Sequence, residues 1–170
     1  MLANERGFTL VEMLISVAIV MILMTAAGRS FLLQGDMFVA QNEVVGAIQD
    51  AKSGIKILTK DIQRSGYNPS GAAFSGVSCD SNELTLMRDT NGDGDTNDIG
   101  ENVTYELDNG ALTRNSAVVV RNVQAFVVSY SGGVVTVTIT AQTEKPDKNY
   151  GINNGHRLYT LESKVRPRNS

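Results

Sequence analysis

The spacing of hydrophobic and polar positions changes twice along this chain. From Phe8 to Gly28 the apolar residues run on without a period, and Glu12 is the only charge in the run. As a helix such a segment rises roughly 30 Å, the thickness of a bilayer's hydrocarbon core, so its all-round apolarity predicts a membrane-spanning helix. Past residue 36 the apolar positions thin to a stripe: Val44, Ile48, Ala51, Ile55, Leu58 and Ile62 recur at steps of three or four, with Lys52, Lys56 and Lys60 between them. That period predicts an amphipathic helix with one buried face. No Pro interrupts residues 8–65, so one helix of ~58 residues is expected, with Gly66 and the following Tyr67-Asn68-Pro69 as its stop. Gly28, Gly35, Gly46 and Gly54 each cost about 1 kcal/mol relative to Ala, so bends or a locally melted stretch are expected too.

Beyond the helix the period becomes two. Residues 66–82 are rich in Gly and Ser and read as a loop. Strands are expected at Glu83–Arg88, Val103–Leu107, Ala111–Arg114, Ala117–Arg121, Asn122–Tyr130, Val134–Gln142 and Arg157–Val165. Asn109-Gly110 predicts a two-residue hairpin turn, and Ser131-Gly132-Gly133 predicts a second. In the strand at Val134–Gln142, Val135, Val137 and Ile139 should face inward and Thr136, Thr138 and Thr140 outward. One antiparallel sheet packed on the amphipathic half of the helix is the economical α+β architecture.

Composition narrows the function. The chain has 170 residues, a net charge of −3 and a mean hydropathy of −0.09, an average of a membrane segment and a polar remainder. That charge argues against a basic nucleic-acid binder, and no basic aromatic groove is evident. One Cys (Cys79) excludes an internal disulfide framework, and one His (His156) excludes a His-rich metal centre. Neither residue lies in a catalytic motif, and no phosphate-binding glycine loop or nucleophile elbow is present, so no enzyme is expected.

Glu12 is the anomaly. A carboxylate in hydrocarbon costs ~2.5–3.5 kcal/mol even on the lenient insertion scale. No Lys or Arg lies within helical reach of it; Thr9 and Ser16 are the nearest polar side chains. Either Glu12 stays protonated or near the headgroups, or its partner comes from another molecule. A secretory signal cut after Thr25-Ala26-Ala27 is a third reading of the whole segment, but a carboxylate four residues into the apolar run is out of place there.

The run Arg6-Gly7-Phe8-Thr9-Leu10-Val11-Glu12 resembles the type III signal of type IV prepilins and pseudopilins: a short leader with a basic residue, a Gly-Phe junction, and a Glu at the fifth position after it. The resemblance implies cleavage between Gly7 and Phe8 by the membrane-embedded prepilin peptidase, methylation of the new Phe8 amine, and pairing of Glu12 with the Phe8 amine of a neighbouring subunit. It further implies a pilin-like fold with leader 1–7, a transmembrane and filament-core half 8–33, an amphipathic half 34–65 and a β-rich head 66–170. The protein would sit in the bacterial inner membrane with its head periplasmic, and then in a pilus at the cell surface alongside other major and minor pilins, where adhesion or motility are the associated roles.

Two further segments resemble PilW-type minor pilins. Asp61-Ile62-Gln63-Arg64-Ser65-Gly66-Tyr67 is similar to that group's helix end, with Gln63 and Ser65 replacing its usual Arg and Ala, and Val165-Arg166-Pro167-Arg168-Asn169 is similar to its closing strand. J-type pseudopilins of type II secretion systems share the plan and are the alternative. A membrane-anchored surface- or ligand-binding module is a third.

Between two expected strands lies an acidic loop, Asp89 to Glu101, with five carboxylates in thirteen residues. Its opening fits the calcium-loop pattern D-x-[DN]-x-[DN]-G, but the twelfth position is Gly100, so it is not an EF-hand. Two readings stand. Ca2+ binds through Asp89, Asn91, Asp93 and Asp95, with Asp98 or Glu101 completing the shell, or the loop is a solvated Asn/Asp/Gly tip that needs no metal.

Overall fold

A computed structural model describes residues 7–80 and 82–169; Arg6 and the rest of the expected leader ahead of Gly7 lie outside that range. Helix α1 runs Leu10–Arg64, and eight strands follow: β1 Val77–Asp80, β2 Glu83–Met87, β3 Asn102–Asp108, β4 Ala111–Arg114, β5 Ala117–Val120, β6 Val123–Ser131, β7 Val134–Gln142 and β8 Leu158–Val165. The chain divides between Gln41 and Asn42 into two compact units. In the first, every described residue from Gly7 to Val39 is exposed, large side chains such as Leu14, Met21, Leu23 and Phe31 included. This is a helix long and apolar enough to cross a membrane. No stretch of α1 is melted at Gly28, Gly35, Gly46 or Gly54. The glycines stand singly, seven or more residues apart and with no proline between them, so the hydrogen-bond ladder propagates across each one.

The second unit holds the core. Its helical part buries Ala47, Ala51, Gly54, Leu58, Asp61 and Ile62. The expected stripe is therefore half right: Val44, Ile48 and Ile55 only flank the buried face. Its centre is built from small residues and an acid that hydrophobic spacing overlooks. Gly54 shows why small residues are needed. A Cβ there would collide with the Val120 side chain of β5 and touch Ile139 of β7, so only glycine lets the helix come this close to both strands. Each fully buried aliphatic on this face, Leu58 and Ile62 among them, contributes about 1.5–3 kcal/mol.

The expected single sheet is in fact two, ordered β1-β2-β3-β4-β5 and β6-β7-β8, all neighbours antiparallel. The break falls after β5, where Asn122 turns the chain at φ +55° and the Val123 amide donates to the Gly110 carbonyl of the β3–β4 hairpin (2.8 Å). Register puts Val77 opposite Leu86 and Leu84 opposite Tyr105, and all four are buried. In β7, Val135, Val137 and Ile139 are buried as expected, and the three threonines that alternate with them are half-buried. Asn109 and Gly110 turn at φ +47° and +75°, the positive pair that a two-residue hairpin of primed type requires. One strand is hidden from the pattern: β1 lies within the Gly/Ser-rich stretch expected to be loop, its four residues paired along β2. Short and at the sheet edge, it buries only Val77 and so carries almost no alternation signal.

Candidate functional site

At the start of α1, Gly7 and Phe8 are non-helical and exposed. A Cβ at Gly7 would meet nothing within 4 Å, so this chain's own packing makes no demand for glycine there. Thr9 precedes the first helical residue, and Glu12 lies in the first turn. The Thr9 amide and hydroxyl both donate to Glu12 Oε2 at 2.9 Å, and the Glu12 amide donates back to Thr9 Oγ1 at 3.3 Å. This reciprocal arrangement is a capping box, Thr-x-x-Glu, and it satisfies amides that the helix start leaves unpaired. The spacing of Thr9 and Glu12 carries that signal in the sequence, where polarity alone marks Thr9 as no more than a neighbour. Neither Thr9 contact uses Glu12 Oε1, and among the described residues no basic side chain forms an ion pair with Glu12. The capped carboxylate thus stands on an apolar, exposed helix with room for a cationic partner.

In the acidic loop the six expected ligand residues take different parts. Asp89 is buried just past the end of β2, with both oxygens engaged: Oδ1 accepts from the Gly92 amide (2.6 Å), and Oδ2 from the Ser70 hydroxyl (2.6 Å) and the Gly94 amide (3.1 Å). The Ser70 hydrogen bond in particular holds its carboxyl below the ordinary value, against the opposing cost of desolvation. Asn91 donates from Nδ2 to Asp93 Oδ2 (2.9 Å) and Asp98 Oδ2 (2.7 Å). Asp93 and Asp95 accept the amides two residues on, at 3.0 and 2.8 Å, which winds the loop as successive Asx turns. Carboxylate oxygens of Asp93, Asp95 and Glu101 lie within 4.8 Å of one another. The loop therefore gathers three of the six residues around one point, uses Asp89 as frame, and ties Asp98 to the rest through Asn91.

A third polar centre escapes the sequence pattern. Asp61, on the buried face of α1, accepts from the Tyr105 hydroxyl (2.7 Å) and Arg114 Nε (2.8 Å), both on Oδ2, while Arg88 Nη1 stands 4.0 Å from Oδ1. Burial alone would raise the Asp61 carboxyl, but the hydrogen bonds and the two guanidinium charges outweigh it and hold the group below its ordinary value. Burial and the bond to Asp61 push the Tyr105 phenol well up. The same helix end receives the C-terminal segment: Gly66 turns at φ +73° against the Asn169 backbone, and the Arg168 amide lies 3.4 Å from the Gln63 carbonyl. A second side chain beside Gly66 is also excluded, since a Cβ on Gly76 would press on the Gly66 backbone.

A family model described as the prokaryotic N-terminal methylation motif matches residues 2–28. No curated protein and no solved structure matches the chain.

Proposed function

We propose that this chain, which carries the prepilin-type methylation motif in its N-terminal segment, is a minor pilin cut between Gly7 and Phe8 and assembled through α1 into a pilus or its initiating tip complex. The motif implies processing by prepilin peptidase and assembly with other pilins. The observation that carries the reading is Glu12, a carboxylate on an apolar, exposed stretch of helix, whose side-chain hydrogen bonds among the described residues are confined to Thr9. Cleavage at Gly7 frees an ammonium at Phe8. Methylated, it stays cationic, and two opposite charges expelled from water satisfy each other where each alone is penalised. The minor-pilin branch draws support from the meeting of Gln63–Gly66 with Arg168 and Asn169, because these are the two segments that resemble PilW-type proteins. The head stays periplasmic until assembly carries it outward.

A Glu12→Ala variant tests the pairing. Insertion and cleavage persist, and incorporation into sheared filaments falls at least tenfold; normal incorporation means Glu12 has no pairing role. Recovery of the wild-type chain in sheared pili separates the minor pilin from a J-type pseudopilin, which stays with the cell envelope.

A further inference from the structure

Glu101 ends the acidic loop immediately before β3 and is only 2% exposed. Its Oε1 accepts from the Thr90 amide (2.6 Å) and the Asn91 amide (3.3 Å). Its Oε2 is buried and, among the described residues, has no hydrogen-bond partner. A buried carboxylate oxygen without a donor carries the full cost of lost hydration. Meanwhile Glu101 shares its point in space with Asp93 and Asp95. No basic side chain relieves this charge: among the described residues, none of the ion pairs involves Asp93, Asp95, Asp98 or Glu101. Arg88, beside the loop, gives Nε and Nη2 to the Gly100 carbonyl (2.9 and 2.6 Å) instead.

We propose that Asp93, Asp95 and Glu101 form a calcium site that closes the β2–β3 connection. The donor set selects the ion. All ligands are hard oxygens, and neither His156 nor Cys79 is among them, which disfavours zinc. Calcium–oxygen distances of about 2.4 Å put two ligands on one ion at most ~4.8 Å apart, and the carboxylate oxygens of these three residues lie within that limit. Magnesium at ~2.1 Å would demand a tighter and more regular cage. Asp98 completes the shell from the far side of Asn91, whose amide now stands between the two carboxylates. Asp89 keeps the loop wound, so the site is framed before the ion arrives. Bound calcium gives Glu101 Oε2 its missing partner and ties the end of β2 to the start of β3.

The test uses the full chain in detergent, stripped with chelator and then titrated with calcium chloride, with magnesium chloride as the counter-probe. One calcium binds per chain, and saturating calcium raises Tm by about 5 °C or more. Magnesium at the same concentration leaves Tm at its chelator value. Asp93→Asn and Glu101→Gln keep the loop's amide acceptors, weaken calcium binding at least tenfold and melt in chelator no lower than the parent chain. The proposal is overturned if calcium leaves Tm unchanged, if magnesium reproduces the rise, or if both variants keep the parent's calcium response.

Discussion

Helix α1 carries one carboxylate in each of its halves that departs from the surrounding pattern, and the two are satisfied in opposite ways. Asp61 lies among buried residues and is met from outside the helix by Tyr105, Arg114 and Arg88. Glu12 lies among exposed apolar residues and, among the described residues, its side chain is met only by Thr9, three positions away. Asp61 is settled: its partners belong to the same compact unit, and its removal would strand two cations. Glu12 is provisional, because a capping contact to a neighbouring Thr is weak and can be exchanged for a charged partner that binds more strongly. A polar group in an apolar stretch therefore reads as structural when the fold supplies its partners. It reads as an assembly element when the fold withholds them.

The contrast can be broken most forcefully at Asp61. Asp61→Ala leaves Arg114, Arg88 and the Tyr105 hydroxyl without their acceptor, and should cost the head about 3 kcal/mol in a denaturation measured on the full chain in detergent. An unchanged denaturation midpoint would mean that the cluster is not a structural clamp. A smaller effect comes from acid. Because the folded Asp61 carboxyl lies below its unfolded value of about 3.9, its contribution is complete above that pH and drains away as pH falls through the folded value. Stability of the parent chain should therefore fall more steeply below about pH 4 than that of Asp61→Asn, by a margin of about 1 kcal/mol. Asp89 and Asp147, also held low, add to the acid loss of both proteins equally. The smallest effect is expected at the other carboxylate: Glu12→Gln should leave the melting of the head where the parent chain has it, since among the described residues the hydrogen bonds of that side chain stop at Thr9. A large shift would tie Glu12 to folding and erase the distinction.

These differences track what a one-dimensional pattern can hold. The membrane segment was legible because unbroken apolarity from Phe8 to Gly28, save for Glu12, needs no partner to be recognised, and the Asn109-Gly110 turn because its backbone demand is local. The fully buried Ala51, Leu58 and Ile62 followed from period alone. Gly54 and Asp61 did not: their burial depends on Val120, Tyr105 and Arg114, far along the chain in the sheet, and no helical spacing encodes a hydrogen bond to a distant strand. The division into two sheets was hidden for a related reason, since the strand pattern records which residues face inward but not which neighbour a strand takes. In the acidic loop the composition left a cation site and a solvated tip as alternatives, and the different parts its carboxylates play in the fold did not follow from spacing. Asp89 opens the calcium-loop pattern, and its hydrogen bonds to Ser70, Gly92 and Gly94 make it the frame. Glu101, one place late for an EF-hand, has the buried oxygen that finds no partner among the described residues.

The most direct test is the N-terminus of the mature protein, read by mass spectrometry on chain purified from its native membrane. The expected protein begins at Phe8 with one methyl group on its amine and keeps α1 whole. A mature chain that begins at Gly28 would contradict this, for then the apolar segment is a discarded signal and Glu12 has no place in any assembly.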